Sequence, residues 1–242
     1  MKKIKEQIQS AVNIYKSGNL QKAELFTKKL INDNPKLVFL YNLLGLVLVD
    51  QKKNDEAMRC YEKGIKIDPT YAMIYNNIGL QFFKDNTADS LKKAESFYKK
   101  AIALDKKIPE PHNNLGSLYD HLDKFEDAIE CFKKAIDINP KFSYAHHNLG
   151  AIYVSIGKFN DAKKHLKESI KLNPNFIITH RSLSRITKYT ENDEHFRELK
   201  KIYSNTNRDN KEKRIELGFA LGKAYEDIKN FDESFTHYKE AN

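Results

Sequence analysis

The chain repeats itself, and no other feature limits its fold as much. Set out in lines beginning at Ile4, Val38, Ala72, Pro109, Ser143 and Ile177, the sequence falls into columns. The eighth column reads Ala11, Gly45, Gly79, Gly116, Gly150, Ser184, and the seventh is mostly Leu or Ile. The twentieth, after a short insertion in the third line, is Ala23, Ala57, Ala94, Ala128, Ala162. The twenty-fourth is large in Tyr61, Tyr98, Phe132 and Leu166, and the thirty-second is Pro at 35, 69, 140 and 174. A period of this length means that each unit is one supersecondary element, unable to bury its apolar face alone, so neighbours must stack.

Each column has a physical cause. Glycine inside a helix costs about 1 kcal/mol against alanine, so its recurrence marks a close approach where a side chain would clash. The alanine column does the same from a second helix, and the large residue four places on fills the space beside it. Proline ends that helix because it cannot donate the next backbone bond. Between the two helices lie turn signals such as Lys16-Ser17-Gly18-Asn19, Gln51-Lys52-Lys53-Asn54 and Ile156-Gly157-Lys158. The insertion near Asn86-Thr87-Ala88-Asp89 is expected to lengthen one such turn. Only 9 Gly and 6 Pro argue against a β-sandwich or barrel.

The pattern resembles the tetratricopeptide repeat, a helix–turn–helix of 34 residues. Asn114-Leu115-Gly116-Ser117-Leu118-Tyr119, Ala128 to Phe132 and Pro140 reproduce its signature, as do Asn148 to Tyr153, Ala162 to Leu166 and Pro174. The resemblance implies an all-α, right-handed superhelical solenoid of about seven antiparallel pairs in one domain, 1–242. Repeats are expected at 4–37, 38–71, 72–108, 109–142 and 143–176, then a divergent repeat and loop (177–214) and a terminal pair (215–242). In the divergent part, Asp193 to Asn205 still reads as an amphipathic helix through Phe196, Leu199, Lys200 and Tyr203. The columns return at Leu221-Gly222, Tyr225, Phe231, Ser234 and Tyr238.

The net charge of +9 raises nucleic acid as a partner. Yet the Lys pairs 28–29, 99–100, 133–134 and 163–164 are scattered and lie among acidic residues, as on solvated outer faces. The start, Met-Lys-Lys-Ile-Lys-Glu, has no apolar run behind it, and no window could span a bilayer. A cytoplasmic chain is expected. Cys60 and Cys131 share a column two repeats apart, too far for a disulfide.

Signatures of catalysis are missing: there is no phosphate-cradling glycine loop, His-Glu-x-x-His, paired-cysteine spacing or nucleophile elbow. The expectation is a non-enzyme without cofactor. His112, His146 and His180 share the fourth column but lie on separate first helices, so they cannot share one metal ion. No metal site is predicted.

The informative surface is one stripe of the first helices, columns 2, 5, 6, 9, 12 and 13, which in the resembled family lines the concave groove. Here it holds Ile8, Val12, Tyr15, Phe39, Asn42, Leu46, Val49, Met73, Asn76, Asn77, Leu80 and Phe83. It turns polar at Asn113, Asn114, Asp120, His121, Tyr144, His147 and Asn148, then basic at Arg181, Arg185 and Lys188. Such an apolar stretch, if no second helix covers it, fits a groove for a peptide or partner protein, or one filled by a neighbouring copy or the chain's own terminal helix.

Asn77, Asn114 and Asn148 share column six. A similar asparagine ladder in the repeat arm of O-linked N-acetylglucosamine transferase binds substrate main chain, which an amide suits because it donates and accepts together. The carboxylate clamp of repeat co-chaperones is excluded, because Ile8 and Val12 occupy places it needs. Finally, His180 to Thr190 with Phe219 to Ile228 resembles the junction in bacterial proteins that join a repeat arm to a sulfotransferase domain. That resemblance implies, as an alternative, a substrate-recognition arm whose catalytic residues lie outside this chain.

Overall fold

A computed structural model describes residues 2–242. Among them there are fourteen helices and no strand, in two compact units. The all-α architecture of antiparallel helix pairs agrees with the expected solenoid class.

The first unit, Met1–Leu122, contains α1 (Lys2–Lys16), α2 (Leu20–Asp33), α3 (Val38–Asp50), α4 (Asn54–Ile67), α5 (Ala72–Asp85), α6 (Ala88–Leu104) and α7 (Pro109–His121). Helices pack within pairs and onto the next pair, and the first helices α1, α3, α5 and α7 also touch in succession. The second unit, Asp123–Asn242, contains α8 (Phe125–Ile138), α9 (Ser143–Ser155), α10 (Phe159–Leu172), α11 (Ile177–Ile186), α12 (Glu194–Asn205), α13 (Lys211–Asp227) and α14 (Phe231–Ala241). Here α9, α11 and α13 are the successive neighbours.

The columns are the contacts within pairs. A Cβ placed on Gly45 would overlap the Tyr61 ring, and on Gly79 it would lie 2.7 Å from Tyr98. On Gly150 it would meet Leu166 Cγ at 2.7 Å, and on Gly222 it would meet Tyr238 at 2.7 Å. Ala23, Ala57, Ala94, Ala128 and Ala162 are all fully buried. The pattern returning in the tail makes the same kind of contact, and Ser234 Oγ also donates to Gly222 O at 2.9 Å.

The insertion in the third repeat behaves differently from the sequence expectation. Only Asn86 and Thr87 separate α5 from α6, and the extra residues lengthen α6 to 17 residues instead of the turn. Thr87 and Ser90 cap each other's backbone, so the helix starts about a turn early. Asn86 closes the turn in the left-handed region (φ 53°), as Lys52, Lys229, Gly18 and Gly157 do in theirs.

The fourth column latches one repeat to the next. Tyr41 donates to Pro35 O at 3.0 Å and Tyr75 to Pro69 O at 2.9 Å. His146 and His180 do the same through Nε2, to Pro140 O (3.1 Å) and Pro174 O (3.0 Å). These carbonyls lie just past a helix end and lack an intrahelical partner.

Two buried hydroxyls in the packing have a measurable consequence. The Tyr61 and Tyr98 hydroxyls are buried without a hydrogen bond. A buried unsatisfied polar group costs on the order of 1–3 kcal/mol. Tyr61→Phe and Tyr98→Phe, which keep the rings against Gly45 and Gly79, are expected to leave stability unchanged or raise it by about 1 kcal/mol. Denaturant unfolding checks this; a loss above that size would mean the hydroxyls are partnered.

Candidate functional site

In the first unit the stripe divides into an apolar and an amide part. Ile8, Val12, Tyr15 and Phe39 are half-buried and pack on the buried cluster of Ala11, Leu30, Leu40 and Leu43. Much of the apolar character of the earliest repeats thus serves the junction of α1 with α3. Tyr15 donates to Asp50 Oδ2 at 2.7 Å, and burial with that carboxylate raises its phenol pKa well above the usual range. Leu46, Met73, Leu80 and Phe83 are half-buried, and Phe83 meets His121 edge-on at 5.6 Å.

The asparagines form one directional chain. Asn113 Nδ2 donates to Asn114 Oδ1 (3.4 Å) and Asn114 Nδ2 to Asn76 Oδ1 (2.8 Å). Asn76 Nδ2 donates to Asn77 Oδ1 (3.2 Å) and Asn77 Nδ2 to Asn42 Oδ1 (2.8 Å). Within a repeat the bond runs from column five to column six; between repeats it runs from column six back to column five. The sequence reading found column six and missed that column five is its other half. The signal was present in the doublets Asn76-Asn77 and Asn113-Asn114.

Asn42, Asn76, Asn77 and Asn113 are buried, with Asn114 half-buried. A primary amide has two N–H groups and two acceptor lone pairs. Asn76, Asn77 and Asn114 each spend one N–H on the chain. Among the described residues Asn42, its terminus, accepts from Asn77 and donates to nothing.

The second unit continues the columns with other chemistry. His147 is buried, and its Nδ1 lies 3.0 Å from Thr179 Oγ1 while its ring packs on Phe176 at 4.8 Å. Burial lowers its pKa to about 4. Tyr144 is 49% exposed and packs on Phe176 at 4.8 Å, so an aromatic patch lies beside His147. Asn148 is half-buried. Arg181 pairs with Glu216 at 2.8 Å and sits 4.4 Å above the Phe219 ring, whereas Arg185 and Lys188 are exposed. Arg181 is thus committed to the α11–α13 junction.

The segment likened to a sulfotransferase junction has a structural role of its own. Lys223 Nζ donates to Thr187 O at 3.0 Å, Tyr189 N to Asp227 Oδ2 at 2.9 Å, and Ser184 Oγ to Ala220 O at 3.3 Å. Together they strap the end of α11 to α13, with Tyr189 buried.

Stacked antiparallel pairs with a glycine or alanine of one helix against a large side chain of the other define a helix-hairpin repeat protein. The tetratricopeptide repeat model matches residues 109–142 and 143–176, and a second TPR repeat model matches 45–86. A 75-residue stretch is 31% identical to the ycf37 protein of Pyropia yezoensis, covering 31% of this chain and 40% of that one. The chain therefore spans less than half of that relative. Solved structures that share the fold include the following two. One is TTC0263, a thermophilic TPR protein of Thermus thermophilus (TM-score 0.65, 15% identity, 76% of this chain and 98% of that one). The other is the APC/C hetero-tetramer Cut9–Hcn1 (TM-score 0.70, 14% identity, 98% of this chain and 42% of that one). No described helix is long and apolar enough to cross a membrane.

Proposed function

We propose that the chain is a non-catalytic scaffold that holds a partner protein through an extended segment laid along the first-helix face of α3, α5 and α7. The directional amide chain from Asn113 to Asn42 carries this reading. A peptide main chain offers alternating N–H and C=O groups, and the unspent donors of Asn42, Asn76, Asn77 and Asn114 answer them without reading side chains. Leu46, Met73, Leu80 and Phe83 flank the row and give apolar side chains of the guest a place to bury. A role in assembly accords with the kinship in fold to Cut9, which is held with Hcn1 in a hetero-tetramer.

The test is capture. Immobilised wild-type chain is expected to retain specific proteins from native lysate, identified by mass spectrometry. Leu46→Asp with Phe83→Asp should reduce that retention at least about tenfold, equivalent to roughly 1.4 kcal/mol, while circular dichroism stays helical. Both side chains are partly exposed, and the circular dichroism control reports whether the helices survive the change. Undiminished capture would remove the proposal. Nothing in the relatives described above favours the sulfotransferase-arm alternative; a phosphosulfate-binding loop encoded downstream of this chain would revive it.

A further inference from the structure

The geometry points to a divalent transition-metal site of zinc type formed by His180, His195 and Glu198 in the second unit. Their donor atoms, one from each residue, all lie within 4.8 Å of one another. His180 is fully buried on α11, while His195 and Glu198 are half-buried on α12, three residues apart and so on one helix face. His195 and Glu198 line a cleft of about 620 Å³ bordered by Leu183, Thr187 and Lys167. His112, His146 and His180 of the fourth column lie on separate helices and do not share an ion. The second imidazole comes from α12, where the columns are lost.

The hydrogen inventory shows why the pair suits a cation. Pro174 O can only accept, so His180 Nε2 carries its hydrogen and Nδ1 presents a lone pair. His195 Nε2, 3.0 Å from that lone pair, must then donate to it. Its Nδ1 therefore accepts from the Tyr189 hydroxyl at 2.7 Å. One hydrogen is all that lies between the two rings. If His195 moves it to Nδ1, where Tyr189 Oη turns acceptor, two lone pairs face each other and no proton leaves the protein. Pro174 O and Tyr189 then serve as the outer partners that orient ligating histidines.

The distances fit. Ligands about 2.1 Å from a tetrahedral ion lie about 3.4 Å apart, so the two nitrogens need separate by only a few tenths of an ångström. Glu198, among the described residues, makes no hydrogen bond or ion pair, and its flexible chain can close the remaining gap. Two imidazoles and a carboxylate with one position open to a cleft is a donor set that zinc accepts and that hard cations such as magnesium do not favour. Lys163, Lys167, Lys171 and Lys188 line the same cleft and oppose a cation electrostatically, and an anion in the open position would offset them.

The chain carries its own control. His146 and His165 form an equivalent pair, Nδ1 to Nδ1 at 3.1 Å with His146 Nε2 on Pro140 O, but no third donor joins them among the described residues. The experiment is calorimetric titration of the metal-free full chain with Zn²⁺, repeated with Co²⁺ to read the ligand field. One ion per chain is expected, with tetrahedral Co²⁺ absorption. Loss of an outer partner costs about ten- to a hundredfold in affinity, so His195→Gln should weaken binding about a hundredfold or more. Glu198→Gln, which leaves the packed imidazoles in place, should weaken it about tenfold or more, and His165→Gln should leave it unchanged. The inference is overturned if the folded chain takes up no stoichiometric ion, if uptake is the same in His195→Gln and Glu198→Gln as in wild type, or if His165→Gln alone abolishes it.

Discussion

Ala128→Asp is expected to cost about 4 kcal/mol or more, enough to unfold a chain of ordinary stability or lower its melting temperature by roughly 10 °C. Ala128 is fully buried on α8 and shares its column with Ala23, Ala57, Ala94 and Ala162, which are equally inaccessible. The substitution adds atoms where packing leaves no room, at about 1–3 kcal/mol. It also buries a carboxylate with no cation provided for it, and that second effect dominates. Ala128→Ser separates the two, because it adds one small polar atom without charge and should cost far less. Thermal unfolding followed by circular dichroism measures both. A shift of only a degree for the aspartate would mean that α8 turns a different face to its neighbours.

Acid should weaken the second unit well above the range where carboxylates titrate. His147 is buried with its pKa lowered to about 4, His165 likewise to about 4 and His195 to about 3, burial being the main cause in each. A histidine whose pKa is lower folded than unfolded binds its proton preferentially in the unfolded chain. Its contribution is complete above pH ~6.5 and is lost progressively as pH falls towards the folded value. For His147 alone the loss between pH 6.5 and 4 is roughly 3 kcal/mol. Glu24 acts in another window: Lys28 and Lys53 lower its pKa to about 2, so its contribution disappears only as pH falls below the ordinary glutamate value. Denaturant unfolding at a series of pH values should show stability declining from pH 6.5. His147→Gln, which cannot take up the proton, should flatten that slope by about one proton. A flat profile from 6.5 to 4.5 in the wild type would contradict the buried, neutral state of these rings.

The repeat frame was legible because it depends on a size complementarity that recurs. Gly79 against Tyr98 and Gly150 against Leu166 are the same contact in two places, so comparing lines within the sequence exposes it. Less of the candidate site could be read. The asparagine chain joins column six of one repeat to column five of its predecessor, a register set by how α3, α5 and α7 lie side by side. Helical periodicity gives the face of each helix but not the offset between helices. The stripe also overstated the open apolar surface, since Ile8, Val12, Tyr15 and Phe39 have the shape of groove residues and the burial of junction residues. The lengthened α6 was hidden for a local reason: Ser90 performs the return half of the Thr87 capping box, where the usual signal is Glu or Gln. His195 lies where the columns fail, so nothing in the period draws attention to it.

The proline latch gives the two halves unequal sensitivity to their surroundings. At Pro35 and Pro69 the bolt is a phenol, which gains no charge on acidification. At Pro140 and Pro174 it is an imidazole that also faces a second imidazole across one shared hydrogen. A proton arriving there leaves two donors and no acceptor between the rings. Acidification would accordingly loosen the contacts that His165, His180 and His195 make around α10 to α12, where a phenol in their place would have offered the proton no site.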